Sequence, residues 1–105
     1  MKVFISQPMS GLTDAEIIAV RAKIFEDYRA DHPDAELVDA YRTVKENMGE
    51  YYTYNHPNVA MLAVAVDSLA DADIALFAPG WENHRGCRIE QKIATYYDIA
   101  TEYVR

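Results

Sequence analysis

Short apolar runs alternate along this chain with longer segments of helical pattern, and this alternation is what most restricts its fold. The apolar runs lie at 3–5, 36–38, 74–78 and 99–104. The helical patterns lie at 14–31, 58–71 and 86–97. Because a crossover through a helix returns the next strand parallel to the last, the sequence predicts an α/β domain over residues 1–105. Its sheet should be short and parallel, with four to five strands.

Local signals place the individual elements. Thr13 and Glu16 form a capping-box pattern, so a helix should begin there and end before His32-Pro33. Its apolar face should carry the residues Ile17, Val20, Ile24 and Tyr28. The tyrosine-rich segment 39–57 has no clear period and predicts a long loop with one helical turn. The segment 58–71 is apolar nearly all round, which is typical of a deeply buried helix.

Composition excludes several classes of protein. The formal net charge of −7 argues against binding of nucleic-acid polymers, which requires a basic surface. The single cysteine, Cys87, cannot form a disulfide within the chain and fits a reducing cytoplasm. The chain opens without a signal-peptide pattern, and its longest apolar run, 59–66, is too short for a membrane helix. We therefore expect a cytoplasmic protein without a membrane partner, whose small size favours self-association.

In parallel α/β sheets, ligands bind beyond the carboxyl ends of the strands. This rule selects the loops 6–11 and 79–86, together with the tyrosine-rich segment. No His or Cys spacing in them is typical of zinc, and no glycine-rich phosphate loop is present, so neither a metal nor a cofactor is expected. The candidate ligand-binding residues are Ser6, Gln7, Pro8, Met9, Ser10, Gly80, Trp81, His84, Arg85 and Gly86.

Two carboxylates are the candidate catalytic residues. Glu90 falls in the middle of the apolar side of the helix 86–97, where a carboxylate needs a partner or a task. A glutamate that only reaches back to loop amides is the competing explanation. Asp67 is the first charge of the helix 58–71 and falls beside apolar residues, although it can equally belong to a solvated helix end. Two carboxylates that converge at a sheet edge suit attack on a sugar carbon.

The remaining candidates allow more than one interpretation. Loop amides near Gly11 and Gly86 precede helices, where anions are favoured. His84 and Arg85 can hold a phosphate or can be ordinary surface residues. Trp81 can stack on a base or can plug its loop against the core, and the sequence leaves both open.

Three stretches, 2–11, 67–73 and 79–90, resemble the nucleoside 2-deoxyribosyltransferase-like superfamily, and the nearest branch is the small family called domain of unknown function 4406. The block Gly80-Trp81-Glu82-Asn83, followed by Gly86 and Glu90, is the most specific part. The resemblance implies a flavodoxin- or Rossmann-like three-layer sandwich, usually a homodimer or larger, in which neighbouring chains complete the site. It also implies cleavage or transfer at the N-glycosidic bond of a deoxynucleoside or its monophosphate.

By this resemblance, Glu90 matches the nucleophile, Asp67 the aspartate near the sugar hydroxyl and leaving base, and Gly86 the glycine that lets the ligand approach. Three residues depart from the pattern of active relatives. Phe4 replaces a tyrosine whose hydroxyl helps to hold the nucleophile. Gln7 replaces a glycine, and His84 replaces a serine or aspartate that contacts the ligand.

Three hypotheses on function follow. The chain is an N-glycosidase or pentosyltransferase that uses Glu90 at C1′ of a nucleoside or nucleotide, with Ser6, Ser10, His84 and Arg85 around the 5′ end. Alternatively, it is a non-catalytic module that senses or sequesters a nucleotide, as the departures at Phe4 and Gln7 suggest. The third hypothesis is a scaffold whose pocket is vestigial.

Overall fold

The computed structural model describes all residues from 1 to 105 and confirms the α/β fold with a parallel sheet. The four strands are β1 (Lys2–Ser6), β2 (Glu36–Leu37), β3 (Ile74–Phe77) and β4 (Ala100–Tyr103). Their order in the sheet is β2-β1-β3-β4, and all three neighbouring pairs are parallel. The chain therefore leaves β1 in one direction to form β2 and returns on its other side as β3, which is the arrangement that opens a crevice at the strands' carboxyl ends.

Helices cover both faces of the sheet. The helices are α1 (Asp14–Asp31), α2 (Ala40–Glu46), α3 (Met48–Tyr51), α4 (Pro57–Ala70) and α5 (Arg85–Tyr96). Alternate residues of β1 face opposite layers, as the pleat requires. Val3 and Ile5 pack with Ile24 of α1. Phe4 packs in a second core with Leu69 of α4 and with residues of α2 and α5. The result is a Rossmann-like sandwich of three layers.

Helix α1 begins with the predicted capping box. The Thr13 hydroxyl accepts a hydrogen bond from the Glu16 amide, and the Glu16 carboxylate accepts one from the Thr13 amide. The buried face differs from the prediction at one position: Val20 is exposed, and Arg21 is buried instead. At 100° per residue, Arg21 lies 40° from Ile17, whereas Val20 lies 60° away on the other side. The face is therefore centred between Ile17 and Arg21.

The prediction of a long loop over 39–57 is wrong. Two short helices, α2 and α3, occupy much of it. Asp39 caps α2 by accepting a hydrogen bond from the Arg42 amide at 3.1 Å, and the Tyr51 ring of α3 is buried. These helices are too short to show a full hydrophobic period. The features that mark them are the side-chain cap at Asp39 and the buried Tyr51.

The prediction that α4 is deeply buried is also wrong. Leu69 is its only buried residue, and Val59 exposes 63% of its surface. A helix that is apolar all round gives no sign of which face its own chain covers, so the pattern cannot distinguish burial within the chain from burial against a partner. None of the helices combines the length and the apolarity that crossing a membrane requires.

Candidate functional site

A cavity of about 320 Å³ lies at the carboxyl edge of the sheet. The segments that line it follow three neighbouring strands: residues 6–10 after β1, residues 40–44 after β2, and residues 84–90 after β3. Residues of α4 close the remaining side, from Asn58 to Ala65. This is the position at which the strand order predicts a ligand.

Glu90 lies in this cavity and points inward, as predicted. Cys87, Glu90 and Ala94 recur at helical spacing and form the buried face of α5. Glu90 exposes only 8% of its surface. Its Oε1 accepts a hydrogen bond of 2.6 Å from the Ser6 hydroxyl, which is the short distance typical of a hydroxyl bound to a carboxylate. The acid is thus held at the wall of a cavity without an ion pair to neutralise it.

The pKa of the Glu90 carboxyl is raised above its usual value because burial disfavours the charged form. The hydrogen bond from Ser6 and the positive charge of Arg21 act in the opposite direction and offset part of this effect. Attack by a carboxylate needs the charged form, which Ser6 and Arg21 favour and burial opposes.

Ser6 lines the cavity at the end of β1. Its side chain is buried, and its hydroxyl donates to Glu90. Phe4, the residue that replaces an orienting tyrosine in the resemblance, is buried in the core and offers no hydroxyl. The hydrogen bond to Glu90 comes from Ser6, which lies on the same face of β1 as Phe4.

Gln7 is buried and held by α1. Its amide Nε2 donates to the Ile17 carbonyl oxygen at 3.1 Å, and its Oε1 accepts from Arg21 Nη1 at 2.9 Å. Because both ends of the amide are occupied, Gln7 forms a fixed part of the cavity wall. The Gln7 side chain is thus held against α1 by both Ile17 and Arg21.

Arg21 is the main site residue that no sequence motif predicts. Its Nε donates to Asp39 Oδ1 at 3.2 Å, and its Nη1 donates to the Ile5 carbonyl oxygen at 3.2 Å as well as to Gln7. It lines the cavity and exposes 4% of its surface. Burial lowers the pKa of the guanidinium, and the Asp39 carboxylate partly offsets that effect. The sequence signal that could have identified Arg21 is its position four residues after Ile17, which places it on the buried face of α1.

The other predicted residues divide into two groups. Those that line the cavity with Glu90 are Ser6, Gln7, Pro8, Met9, Ser10, His84, Arg85 and Gly86. Gly80 and Trp81 do not line it. Gly80 adopts a positive φ of 86°, which makes the turn after β3, and the Trp81 ring packs on Phe77 and Tyr103 at centroid distances of 5.6 and 5.3 Å. Of the two interpretations of Trp81, the structure shows the packed one.

Asp67 does not meet Glu90 in this chain. It is exposed on α4 and is not among the residues that line the cavity. Helix α4 presents Met61, Leu62 and Ala65 to the cavity, and Asp67 lies 200° beyond Ala65 at 100° per residue. The helical rotation therefore turns Asp67 outward, and the expected pair of facing carboxylates is absent within one chain.

The wall opposite the polar loops is apolar, and the sequence motifs do not identify it either. Val44 of α2 and Met61 and Leu62 of α4 form it, with Tyr41 beside them. The Tyr41 hydroxyl donates to Asp14 Oδ1 at 2.6 Å, and burial together with this carboxylate raises the pKa of Tyr41 to about 12. The cavity thus has polar lining residues, among them Glu90, and a separate group of apolar ones.

Comparisons of this chain with protein-family models, with curated proteins and with solved structures return no match. The structure contains no group of three or more His, Cys, Asp or Glu side chains placed to hold a metal ion.

Proposed function

We propose that this protein binds a nucleoside or nucleotide and cleaves its N-glycosidic bond with Glu90 as the nucleophile. The observation that supports this most directly is the buried Glu90 carboxyl, oriented by Ser6 at the wall of the cavity. The resemblance to nucleoside 2-deoxyribosyltransferases supports the same role for the same residue.

The reaction follows the retaining route of glycoside chemistry. A Glu90 oxygen attacks C1′ of the 2-deoxyribosyl group, and the C1′–N bond breaks with its electron pair passing to the base. The base takes a proton from water. Water then cleaves the resulting ester and restores the Glu90 carboxylate, or a second base accepts the sugar in a transfer reaction.

The two sides of the cavity suit the two parts of such a ligand. The apolar wall of Val44, Met61 and Leu62 can cover a base, while Glu90 and the loops at 6–10 and 84–86 can contact the sugar and its 5′ end. The amides at the start of α5 also favour an anion. A volume of about 320 Å³ lies at the lower end of the range of small-ligand sites, which favours a single nucleotide over a larger ligand.

A non-catalytic nucleotide-binding module is the second candidate, and the position of Asp67 favours it. With Asp67 on the outside of α4, the cavity holds a single carboxyl and no second acid to assist the leaving base. A pocket of this kind would bind the same ligand and release it unchanged.

We also propose that the protein assembles as a homodimer or larger oligomer through α4. The segment 59–66 is entirely apolar and follows a helix start at Pro57, yet none of its residues is buried in this chain. Val59 and Ala63 are exposed on the same side of the helix. A second copy that covers this face would also lie next to the cavity, because α4 forms one of its walls.

The decisive experiment follows free base by chromatography during incubation with each deoxynucleoside and each deoxynucleoside monophosphate. We expect release of base from at least one of them. Mass spectrometry of acid-quenched protein should detect a deoxyribosyl ester on the peptide that contains Glu90.

The matched variant is Glu90→Ala, which should abolish both signals while the folded protein persists. Turnover that survives this substitution would contradict the mechanism. Stabilisation of the protein by a nucleotide in a thermal-shift assay, with no base released, would instead identify the binding module.

A further inference from the structure

A separate cavity of about 390 Å³ lies along the exposed side of α5. Three cations line it, Arg85, Arg88 and Lys92, together with a single carboxylate, Glu82. None of these four side chains takes part in an ion pair of the structure. The cavity, which we call the α5 groove, therefore carries an excess of positive charge that no side chain of the protein neutralises.

The α5 groove differs in this respect from the rest of the charged surface. Of the ten Lys and Arg residues of the chain, five pair with an acidic side chain. Three of the other five lie together in this groove. Because the whole chain has a formal charge of −7, its surface repels anions in general, and the groove is the place where an anion is attracted instead.

The stability of α5 does not explain these cations. Arg85 begins the helix and Arg88 follows within one turn, and the first turn contains no acidic residue. The start of a helix carries a partial positive charge, so cations placed there are unfavourable. No ion pair offsets this cost, and binding of an anion by the side chains accounts for their position.

The dimensions and charge of the α5 groove indicate a small ligand. The helix rises only about 10 Å from Arg85 to Lys92, and the volume of the groove lies in the range of small-ligand sites. A long acidic polymer would continue from the groove over an acidic surface, which repels it. Arginine forks match phosphate groups, and Trp81 and Ile89 add apolar surface beside them.

We propose that the α5 groove is a second ligand site, which binds a small polyphosphate anion. A chain of phosphates meets several of the cations at once, and either an inorganic polyphosphate or a nucleoside triphosphate supplies such a chain. This site does not depend on the proposed reaction at Glu90. Arg85 is the only residue that lines both cavities, so an anion in the groove also brings negative charge next to the Glu90 cavity.

Trp81 provides the signal for the test, because it is the only tryptophan of the chain and lines the groove. Its fluorescence is followed while inorganic tripolyphosphate is added to the full chain at constant ionic strength, and titration calorimetry measures the same affinity. We expect saturable binding that is at least about 10-fold tighter than that of orthophosphate, which meets fewer cations. Absence of tripolyphosphate binding by both methods overturns the proposal.

The matched variants are Arg88→Glu and Arg29→Glu. Both residues are exposed and lack an ion pair, and both substitutions change the net charge equally. Arg88 lines the α5 groove, whereas Arg29 lies in the last turn of α1. Arg88→Glu should weaken tripolyphosphate binding at least about 10-fold and Arg29→Glu less than about 2-fold. Equal losses would mean general attraction by charge and would overturn the proposal.

Further arms separate the possible ligands and sites. A nucleoside triphosphate that binds more tightly than tripolyphosphate would identify a nucleotide as the source of the phosphates, and equal affinities would identify the phosphate chain alone. A hexaglutamate peptide that binds when tripolyphosphate does not would assign the groove to an acidic protein and overturn the proposal. Binding that survives Arg88→Glu but is lost in His84→Ala would place the anion in the Glu90 cavity, which His84 lines, and would overturn it too.

Discussion

Helices α4 and α5 border the same cavity, and each contributes one of the two carboxylates that the sequence singles out. In α5 the buried face is narrow and regular, and Glu90 lies in its centre next to Cys87 and Ala94. In α4 almost every residue before Asp67 is apolar, yet Leu69 alone is buried and Asp67 faces outward. The period of α5 thus predicts the inward direction of Glu90, although Ile89 and Tyr96, which were expected on the same buried side, are exposed. The uniform apolarity of α4 predicts no direction for Asp67.

The difference also separates two kinds of burial. Helix α5 buries Cys87, Glu90 and Ala94 within the chain, although Ile89 and Tyr96 stay exposed. Helix α4 leaves an apolar surface that the chain does not cover, which marks an interaction surface when it is contiguous. The catalytic proposal therefore depends on α5, and the oligomer proposal depends on α4.

The largest expected effect tests the two carboxylates against each other. Glu90→Gln keeps the shape of the side chain but removes the nucleophile, so base release should fall at least about 10³-fold. Asp67→Asn should change it by less than about 5-fold, because Asp67 lies outside the cavity. Initial rates under saturating deoxynucleoside monophosphate measure both.

Equal and large losses in the two variants would contradict the assignment of Glu90 as the only carboxylate at the reacting carbon. That result would mean that Asp67 reaches a substrate after assembly, from a neighbouring copy of the chain. Measuring the rates across a range of protein concentrations would then locate the requirement for a partner.

The second prediction concerns the outer face of α4. The double variant Val59→Lys, Ala63→Lys adds two charges at exposed positions, so the free energy of unfolding of the isolated chain should change by no more than about 0.5 kcal/mol per site. Self-association should weaken by about 10- to 100-fold, since buried charges at an interface centre are costly. Sedimentation velocity over a concentration series measures this change.

Tyr96→Lys is the matched control, since Tyr96 is 71% exposed and belongs to α5 rather than α4. It should sediment like the wild-type protein. A wild-type protein that stays monomeric at every concentration would contradict assembly through α4.

The third prediction uses the pH dependence of stability. Because the pKa of Glu90 is raised above 4.5 in the folded protein, folding favours the protonated acid. Its contribution to stability is present below pH 4.5 and is lost as the pH rises through the folded-state pKa. Glu90→Gln should therefore gain stability relative to the wild-type protein as the pH rises from 4.5, by no more than about 1.4 kcal/mol per pH unit.

Urea unfolding at several pH values measures this difference, with Asp67→Asn as the baseline for an exposed acid-to-amide change. Ser6→Ala sharpens the test. It removes the hydrogen bond that favours the charged Glu90, so the loss of stability should extend to higher pH. A difference between Glu90→Gln and the wild-type protein that does not vary with pH would contradict the burial argument.

The parts of the structure that could be predicted from sequence are those in which one local signal acts alone. The alternation of elements predicts the parallel sheet, the capping box predicts the start of α1, and the period of α5 predicts that Glu90 is buried. The contacts of Arg21 could not be predicted, because they join α1 to the ends of two strands. Such contacts depend on packing between segments that are distant in sequence, which no local pattern encodes.

The smallest expected effect concerns Gly86, in the first turn of α5. A Cβ added there would meet no atom within 4 Å, and alanine is the better helix former, so Gly86→Ala should raise the free energy of unfolding by about 0.5 kcal/mol. The same methyl would project into the cavity that Gly86 lines and should weaken nucleotide binding. Gly49→Ala on α3, where a Cβ also meets open space, is the control. It should raise the free energy of unfolding in the same way but leave nucleotide binding unchanged. Urea unfolding and calorimetry measure the two effects, and unchanged binding in Gly86→Ala would place the ligand away from the start of α5.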